Sequence, residues 1–155
     1  MNALNWCLKQ KRGLKLIESN SNLAEAYLKK AEEAMVTMNE ISDTSWKIST
    51  AYYTMYFSLY SLLQKIGIKS EIHKCTILFA QSYLSDYFSD EELQFLEQAM
   101  EQRVENQYYT NVNTDRDFYQ RIFKEAPKFY VKCKNLISCF TYKEIQHIRN
   151  LLNKH

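Results

Sequence analysis

Apolar residues recur every three or four positions along most of the chain, which is the pattern of amphipathic helices packed against a core. One such stripe begins after Asn22 and continues to Ile41. Glu25 follows Asn22 by three residues, so the pair predicts a capping box at the start of this helix. A short helix over residues 4–10 is expected before it, with Gly13 as a candidate stop.

The next stripe predicts a central helix that begins at Asp43 or Thr44 and runs to about Ile66. Gly67 should end it, because glycine adopts a positive φ without steric cost. Apolar residues cover two faces of this helix, so it should pack on two sides. The first face suits the core and the second a contact between two copies of the chain (Ile48, Tyr52, Met55, Leu59, Leu62 and Ile66; Tyr53, Phe57 and Tyr60).

Capping signals predict two helices after Gly67. Ser70 is the candidate cap of a fourth helix that runs through Tyr83. Ser89 and Glu92 form the clearest capping box in the chain and predict a fifth helix that fades near Tyr109.

The remaining sequence predicts a loop and two more helices. Asn111, Asn113 and Thr114 indicate the loop, after which Thr114 and Asp115 open a sixth helix. Pro127 either kinks this helix or begins a new segment at a first-turn position, where its missing N–H is harmless. A capping box at Thr141 predicts a last helix to about Leu152.

Composition agrees with a single helical domain over residues 1–155. The chain contains only two glycines and one proline, which argues against strand-rich folds, phosphate-cradling loops and dinucleotide-binding folds. The predicted fold class is all-α, an antiparallel up-and-down helical bundle with short extra helices at its termini. The net charge of +2 is too close to zero to indicate a class of partner.

The cysteines and histidines give no sign of a metal or cofactor site. The four cysteines lie far apart, without a C-x-x-C pair, and the histidines have no zinc-ligand spacing (Cys7, Cys75, Cys133 and Cys139). We therefore expect free thiols, no cofactor, no membrane association and a reducing cytoplasmic location. A Cys133–Cys139 disulfide is the alternative, which a helix over that stretch would disfavour.

A polar segment that begins at Arg103 contains the most informative candidate chemistry. Asn106 and Gln107 follow at i+3 and i+4, so they share the face of Arg103 on a helix. A guanidinium with amides beside it can bind a phosphate. The alternative is a structural ion pair between Arg103 and Glu105 or another acid. Tyr108 lies about 140° around a regular helix from Arg103, so the two converge only at a distorted helix end or with help from a second subunit.

His73 is the histidine that lies well inside the predicted bundle. An ordinary imidazole pKa of about 6.5 would suit a general base. The alternative is a structural histidine that fixes the start of the fourth helix through hydrogen bonds. The tyrosines of the central helix likewise suit either core packing or base stacking.

Three blocks of sequence, taken in order, resemble the HEPN superfamily and within it the prokaryotic UPF0332 branch. The first is Ser-Thr-Ala-Tyr-Tyr-Thr-Met-Tyr at 49–56, and the second is Gly-Ile-Lys-Ser-Glu-Ile-His-Lys at 67–74. The third is Arg103 with Gln107 and Tyr108, which is similar to an Arg-x-x-x-Asp-Tyr motif. The resemblance covers about residues 22–138.

The resemblance implies a dimeric helical bundle. Many members are metal-independent ribonucleases, often toxins paired with a nucleotidyltransferase antitoxin, with an Arg-x4–6-His motif at the dimer cleft. In this sequence Arg103 matches, but Tyr108 or Tyr109 stands at the histidine position, and Thr50 stands where the branch often has arginine. A phenol with a pKa near 10 is a poor base at neutral pH.

The resemblance leads to three functional hypotheses. The first is a homodimer that binds RNA or a nucleotide with weak or absent nuclease activity, in which Arg103 contacts phosphate and Asn106, Gln107, Tyr108 and Tyr109 line the cleft. The second is an active ribonuclease toxin in which Tyr108 or His73 replaces the usual base. The third is a protein-interaction module that docks a nucleotidyltransferase, which would modify Tyr108 or Tyr109.

Overall fold

The computed structural model describes residues 2–110 and 113–154, and these ranges contain seven helices and one small sheet. The helices are α1 (Ala3–Lys9), α2 (Ser21–Glu40), α3 (Thr44–Ile66), α4 (His73–Tyr83), α5 (Asp90–Tyr108), α6 (Arg116–Cys139) and α7 (Tyr142–Leu152). Two short strands, β1 (Lys15–Leu16) and β2 (Ile68–Lys69), pair antiparallel. The predicted all-α bundle is therefore confirmed. Two residues of the predicted loop, Asn111 and Val112, lie outside the described ranges.

Helix α3 is the central helix, as the two apolar faces predicted. It contacts α2, α5, α6 and α7, and most of its residues are buried. One hydrophobic cluster around it takes in side chains from Leu4 to Leu152. On its aromatic face, Tyr27 of α2 stacks on Phe57 and meets Tyr60 edge-on, at centroid distances of 6.0 and 4.7 Å. Part of the aromatic face is therefore buried inside the bundle. A contact between two copies of the chain through the rest of this face stays a prediction.

The helix ends with strong local signals lie where the sequence predicted them. Asp43 caps α3 by accepting a hydrogen bond from the Trp46 amide, and Gly67 ends it with φ of 88°. Capping boxes begin α5 at Ser89 and α7 at Thr141. In each case the signal depends on residues three or four positions apart.

Two predicted boundaries are wrong, and one of the two alternatives for Pro127 is excluded. Asn20, not Asn22, caps α2, because its side chain reaches the amide of Leu23. Helix α4 begins at His73 without a side-chain cap, while Ser70 donates a hydrogen bond to a carbonyl in the preceding turn. Helix α6 continues through Pro127, so no new segment begins there.

The small sheet ties the amino-terminal segment to the turn that follows α3. The Ile17 amide donates to the Gly67 carbonyl at 2.9 Å, and Arg149 of α7 donates to the carbonyls of Ile17, Ile66 and Gly67 at 2.7–3.1 Å. These contacts fix the path of the chain into α4. Each strand has only two residues, which is too short for an alternating pattern to reveal.

A disulfide joins Cys7 of α1 to Cys75 of α4, so the prediction of four free thiols is wrong for this pair. The two residues are 68 positions apart in sequence, and only the tertiary fold brings them together. Cys133 is a buried free thiol and Cys139 an exposed one. Within the described ranges, no helix combines the length and apolar character needed to cross a membrane.

Candidate functional site

Arg103 lies in the last two turns of α5 and points toward α3. Its Nη1 atom donates to the hydroxyl of Tyr53 at 3.0 Å and to Oε1 of Gln107 at 3.1 Å. The side chain is half-buried. Both acceptors are neutral, so the guanidinium has no negatively charged partner among residues 2–110 and 113–154.

The alternative of an ion pair for Arg103 is wrong within the described part of the chain. None of the ion pairs there includes Arg103. Glu105 accepts a hydrogen bond from Gln102 instead. The Arg103 Nε atom is buried and has no hydrogen-bond partner among the described residues. The arginine is therefore undercompensated both in charge and in hydrogen bonding.

The guanidinium of Arg103 packs over the rings of two tyrosines of α3. The guanidinium carbon lies 5.3 Å from the ring centroid of Tyr52 and 5.5 Å from that of Tyr53. A cation over an aromatic face at this distance is attracted by the ring quadrupole. The hydrophobic pattern assigned Tyr52 to the core and Tyr53 to a dimer contact, and it missed their place beside Arg103. Their position in the Ala-Tyr-Tyr block was the available signal.

His73 belongs to the same cluster, because Tyr52 contacts both it and Arg103. The Tyr52 hydroxyl lies 2.7 Å from Nδ1 of His73, and the His73 ring stacks on Tyr56 at a centroid distance of 3.9 Å. Burial, and secondarily the charge of Arg103, lower the pKa of His73 to about 4. The imidazole is therefore neutral at physiological pH.

The hydrogen bond to Tyr52 selects one tautomer of neutral His73. Tyr52 is fully buried, and burial raises the pKa of its phenol well above 10, so the hydroxyl keeps its proton. Among the described residues its hydrogen-bond partner is Nδ1 of His73. If Nδ1 carried the imidazole proton, the buried phenol O–H would have no acceptor, at a cost of about 1–3 kcal/mol. Tyr52 therefore donates to Nδ1, and His73 carries its proton on Nε2. The ¹⁵N chemical shifts of His73 check this tautomer directly.

The other candidate residues divide into two groups. Gln107 touches Arg103, as the i+4 spacing predicted. Asn106 instead donates to the Gln102 carbonyl and exchanges hydrogen bonds with Thr114, so its amide ties α5 to the segment before α6. Tyr108 and Tyr109 are 72% and 66% exposed, and neither is a hydrogen-bond partner of Arg103. The structure thus brings together Arg103, Gln107 and His73, but not the two tyrosines.

The protein belongs to the HEPN domain family, whose family model matches residues 20–136. This match includes the central helix and every residue of what we call the Arg103 cluster, namely Arg103, Gln107, Tyr52, Tyr53 and His73. The chain is also similar to a UPF0332 protein of Archaeoglobus fulgidus, with 30% identity over 91 residues. That alignment covers 58% of this chain and 73% of the archaeal protein. The family and the branch that the three sequence blocks resembled are both confirmed.

Proposed function

We propose that this HEPN domain protein binds the phosphate group of RNA or of a nucleotide at Arg103, with weak or absent nuclease activity. The observation that carries the proposal is a half-buried guanidinium whose hydrogen-bond partners, Tyr53 and Gln107, are both neutral. Removing a charge from water is costly unless a counter-charge compensates it. A phosphate oxygen that accepts from the guanidinium would supply that compensation with strong, charge-assisted hydrogen bonds.

The tautomer of His73 supports binding rather than cleavage. Cleavage by attack of a ribose 2′-hydroxyl needs a base that removes a proton. With Nδ1 occupied by the Tyr52 hydroxyl, the remaining ring nitrogen is an N–H donor and cannot accept a proton. His73 is suited to donate a hydrogen bond to a phosphate oxygen. The ribonuclease alternative would instead require a different tautomer of His73, or Tyr108 as the base.

A labelled single-stranded RNA tests the proposal through the Arg103→Ala variant. We expect this substitution to weaken binding at least tenfold, because the loss of even one charge-assisted hydrogen bond costs about 1.5–3 kcal/mol and about 1.4 kcal/mol is a factor of ten. Arg121→Ala is the matched control, since Arg121 is an arginine that already pairs with Glu91. Fluorescence anisotropy gives the dissociation constants, and a denaturing gel of the same samples reports cleavage.

Two results would contradict the proposal. If Arg103→Ala and Arg121→Ala bind as tightly as the unaltered protein, Arg103 is not the phosphate contact. If the unaltered protein converts the RNA to fragments ending in a 2′,3′-cyclic phosphate, and Arg103→Ala does not, the ribonuclease alternative is correct.

The proposal includes a homodimer. Tyr53 and Phe57 are only half-buried, and Tyr53 bonds directly to Arg103, so a second copy packed over them would bring two arginines toward one cleft. Light scattering at micromolar concentration should give twice the mass of the chain. The mass of a monomer would refute a cleft shared by two copies.

Docking of a nucleotidyltransferase is a second candidate function, supported by the exposure of Tyr108 and Tyr109. A phenol that is two-thirds exposed or more is open to an enzyme that modifies tyrosine. Copurification of such an enzyme at defined stoichiometry would support this candidate, and its loss in a Tyr108→Phe, Tyr109→Phe double variant would locate the contact.

A further inference from the structure

A groove runs beside the Arg103 cluster, between the start of α3 and the end of α5. Its first part is a cavity of about 120 Å³ lined by Ser45, Trp46, Ser49, Asn106 and Gln107. Its second part, of about 380 Å³, shares Ser45 and Asn106 with the first and extends to Thr114, Arg116 and Tyr119. We call these two neighbouring cavities the α3–α5 groove.

The groove is continuous with the proposed phosphate site. Gln107, which lines its first part, accepts the hydrogen bond from Arg103. On α3, Trp46 precedes Tyr53 by seven residues, which corresponds to about 10 Å along a helix. Stacked nucleotides in one strand rise about 3.4 Å each, so this length accommodates more than one nucleotide.

The charge of the groove favours an anionic chain. Among the described lining residues of the two cavities there is no aspartate or glutamate, whereas Arg116 stands in the second part. The acids next to lining residues in sequence are Asp43, Glu105, Asp115 and Asp117. Of these, Asp43 and Asp115 accept hydrogen bonds from backbone amides at the starts of α3 and α6, and Glu105 accepts one from Gln102.

The lining also offers a stacking surface and an open hydroxyl. Trp46 is 57% exposed, which is unusual for so large an aromatic side chain, and an indole face can stack on a nucleobase. Ser49 is only 3% exposed and lines the first part of the groove, and its hydroxyl makes no hydrogen bond with residues 2–110 or 113–154. A ligand in the groove would supply the missing partner.

We propose that the α3–α5 groove binds the nucleotides next to the phosphate held by Arg103, so that the ligand is a single-stranded oligonucleotide. Trp46 stacks on a base and Arg116 contacts a further phosphate. This inference rests on the proposed function, because it takes the Arg103 phosphate as its starting point. RNA and DNA strands share the chemistry that the groove recognises.

The test compares uridine monophosphate with an octamer of uridylate and with the corresponding octamer of deoxyuridylate. An octamer offers several registers to a single phosphate site, so tighter binding of the octamer is not sufficient on its own. We expect Trp46→Ala and Arg116→Gln each to weaken octamer binding about fivefold or more and to leave monophosphate binding unchanged. Comparison of the two octamers shows which sugar the protein prefers.

Matched controls are available on the same chain. Trp6→Ala removes another exposed tryptophan, and Arg121→Gln removes the same charge from α6 at an ion-paired position. Neither should change octamer binding. In a Trp6→Phe background the fluorescence comes from Trp46, since the chain has two tryptophans, and the octamer should quench it more than the monophosphate does.

The possible outcomes distinguish a failure of nucleotide binding in the groove from a failure of phosphate binding at Arg103. Suppose that monophosphate binding depends on Arg103 but that octamer binding is unchanged by Trp46→Ala and Arg116→Gln. This result would refute nucleotide binding in the α3–α5 groove and would leave the phosphate site at Arg103 intact. Binding of both ligands that is unaffected by Arg103→Ala, or no binding of either, overturns the two proposals together.

Discussion

Reduction of the Cys7–Cys75 disulfide should lower the free energy of unfolding by about 4 kcal/mol. The bond closes a loop of 68 residues, and the chain-entropy model assigns a cross-link of that span a stabilisation of about 4 kcal/mol through the unfolded state. Urea unfolding with and without a thiol reductant measures the difference. The unfolding midpoint should move to lower urea concentration, and the slope should increase because the reduced unfolded chain exposes more surface.

Variants identify the bond responsible. In a Cys7→Ser, Cys75→Ser double variant the reductant should no longer shift the midpoint. Cys139→Ser, at an exposed free thiol, should behave like the unaltered protein. Equal midpoints for the unaltered protein under oxidising and reducing conditions would mean that the two thiols do not pair.

The disulfide also bears on the candidate site, because Cys75 lies two residues after His73. The amino-terminal segment reaches this part of the chain through further contacts. The Arg12 carbonyl accepts a hydrogen bond from the Glu71 amide at 2.8 Å, and the Arg12 guanidinium pairs with the Glu71 carboxylate. The start of α4, which lacks a side-chain cap, is thus held by tertiary contacts.

Features of the fold that depend on residues close together in sequence could be predicted, and features that join distant segments could not. Ser89 with Glu92 and Gly67 after α3 were predicted correctly because capping depends on neighbouring residues. The start of α4 was misplaced because no local side chain caps it. The β1–β2 pairing and the Cys7–Cys75 bond were missed because each joins segments more than 50 residues apart.

The candidate site shows the same division. The i+4 spacing correctly placed Gln107 beside Arg103, and helix geometry correctly warned that Tyr108 would diverge from it. The contact of both Arg103 and His73 with Tyr52 was beyond the sequence pattern, because it joins α3, α4 and α5. A buried tyrosine at helical spacing gives no indication of which partners its ring and its hydroxyl contact.

The coupling of His73 to Arg103 predicts that a phosphodiester binds more tightly as the pH falls. In the free protein, burial and the charge of Arg103 lower the pKa of His73 to about 4. A bound phosphate offsets that positive charge and adds a negative one beside the ring, so the pKa of His73 should rise, while burial, the larger cause of its low pKa, persists. Binding then takes up a proton at Nδ1, and the Tyr52 hydroxyl turns from donating to Nδ1 to accepting from it. Affinity therefore increases as the pH decreases between the pKa of the free protein and that of the complex.

The size of this effect follows from the two pKa values. A full return to the ordinary pKa of about 6.5 would make affinity at about pH 5 exceed that at about pH 8 by about 30-fold. Because burial persists and protonation leaves the Tyr52 hydroxyl without an acceptor, we expect a smaller increase with that value as its upper limit. Diuridine monophosphate is a suitable ligand, because its phosphodiester and its bases keep their charge over this range. Titrations at several pH values give the slope, and NMR of the His73 ring gives both pKa values.

Two histidine variants decide whether His73 is the group that titrates. His73→Asn retains an acceptor for Tyr52 but cannot take up a proton, so its affinity should be nearly constant between about pH 5 and pH 8. His147→Asn, at an exposed position on α7, should keep the full slope. If the affinity of His73→Asn still changes with pH, another residue takes up the proton, and His73 does not interact with the bound phosphate. A flat profile in the unaltered protein would show that the anion binds without changing the charge around this imidazole.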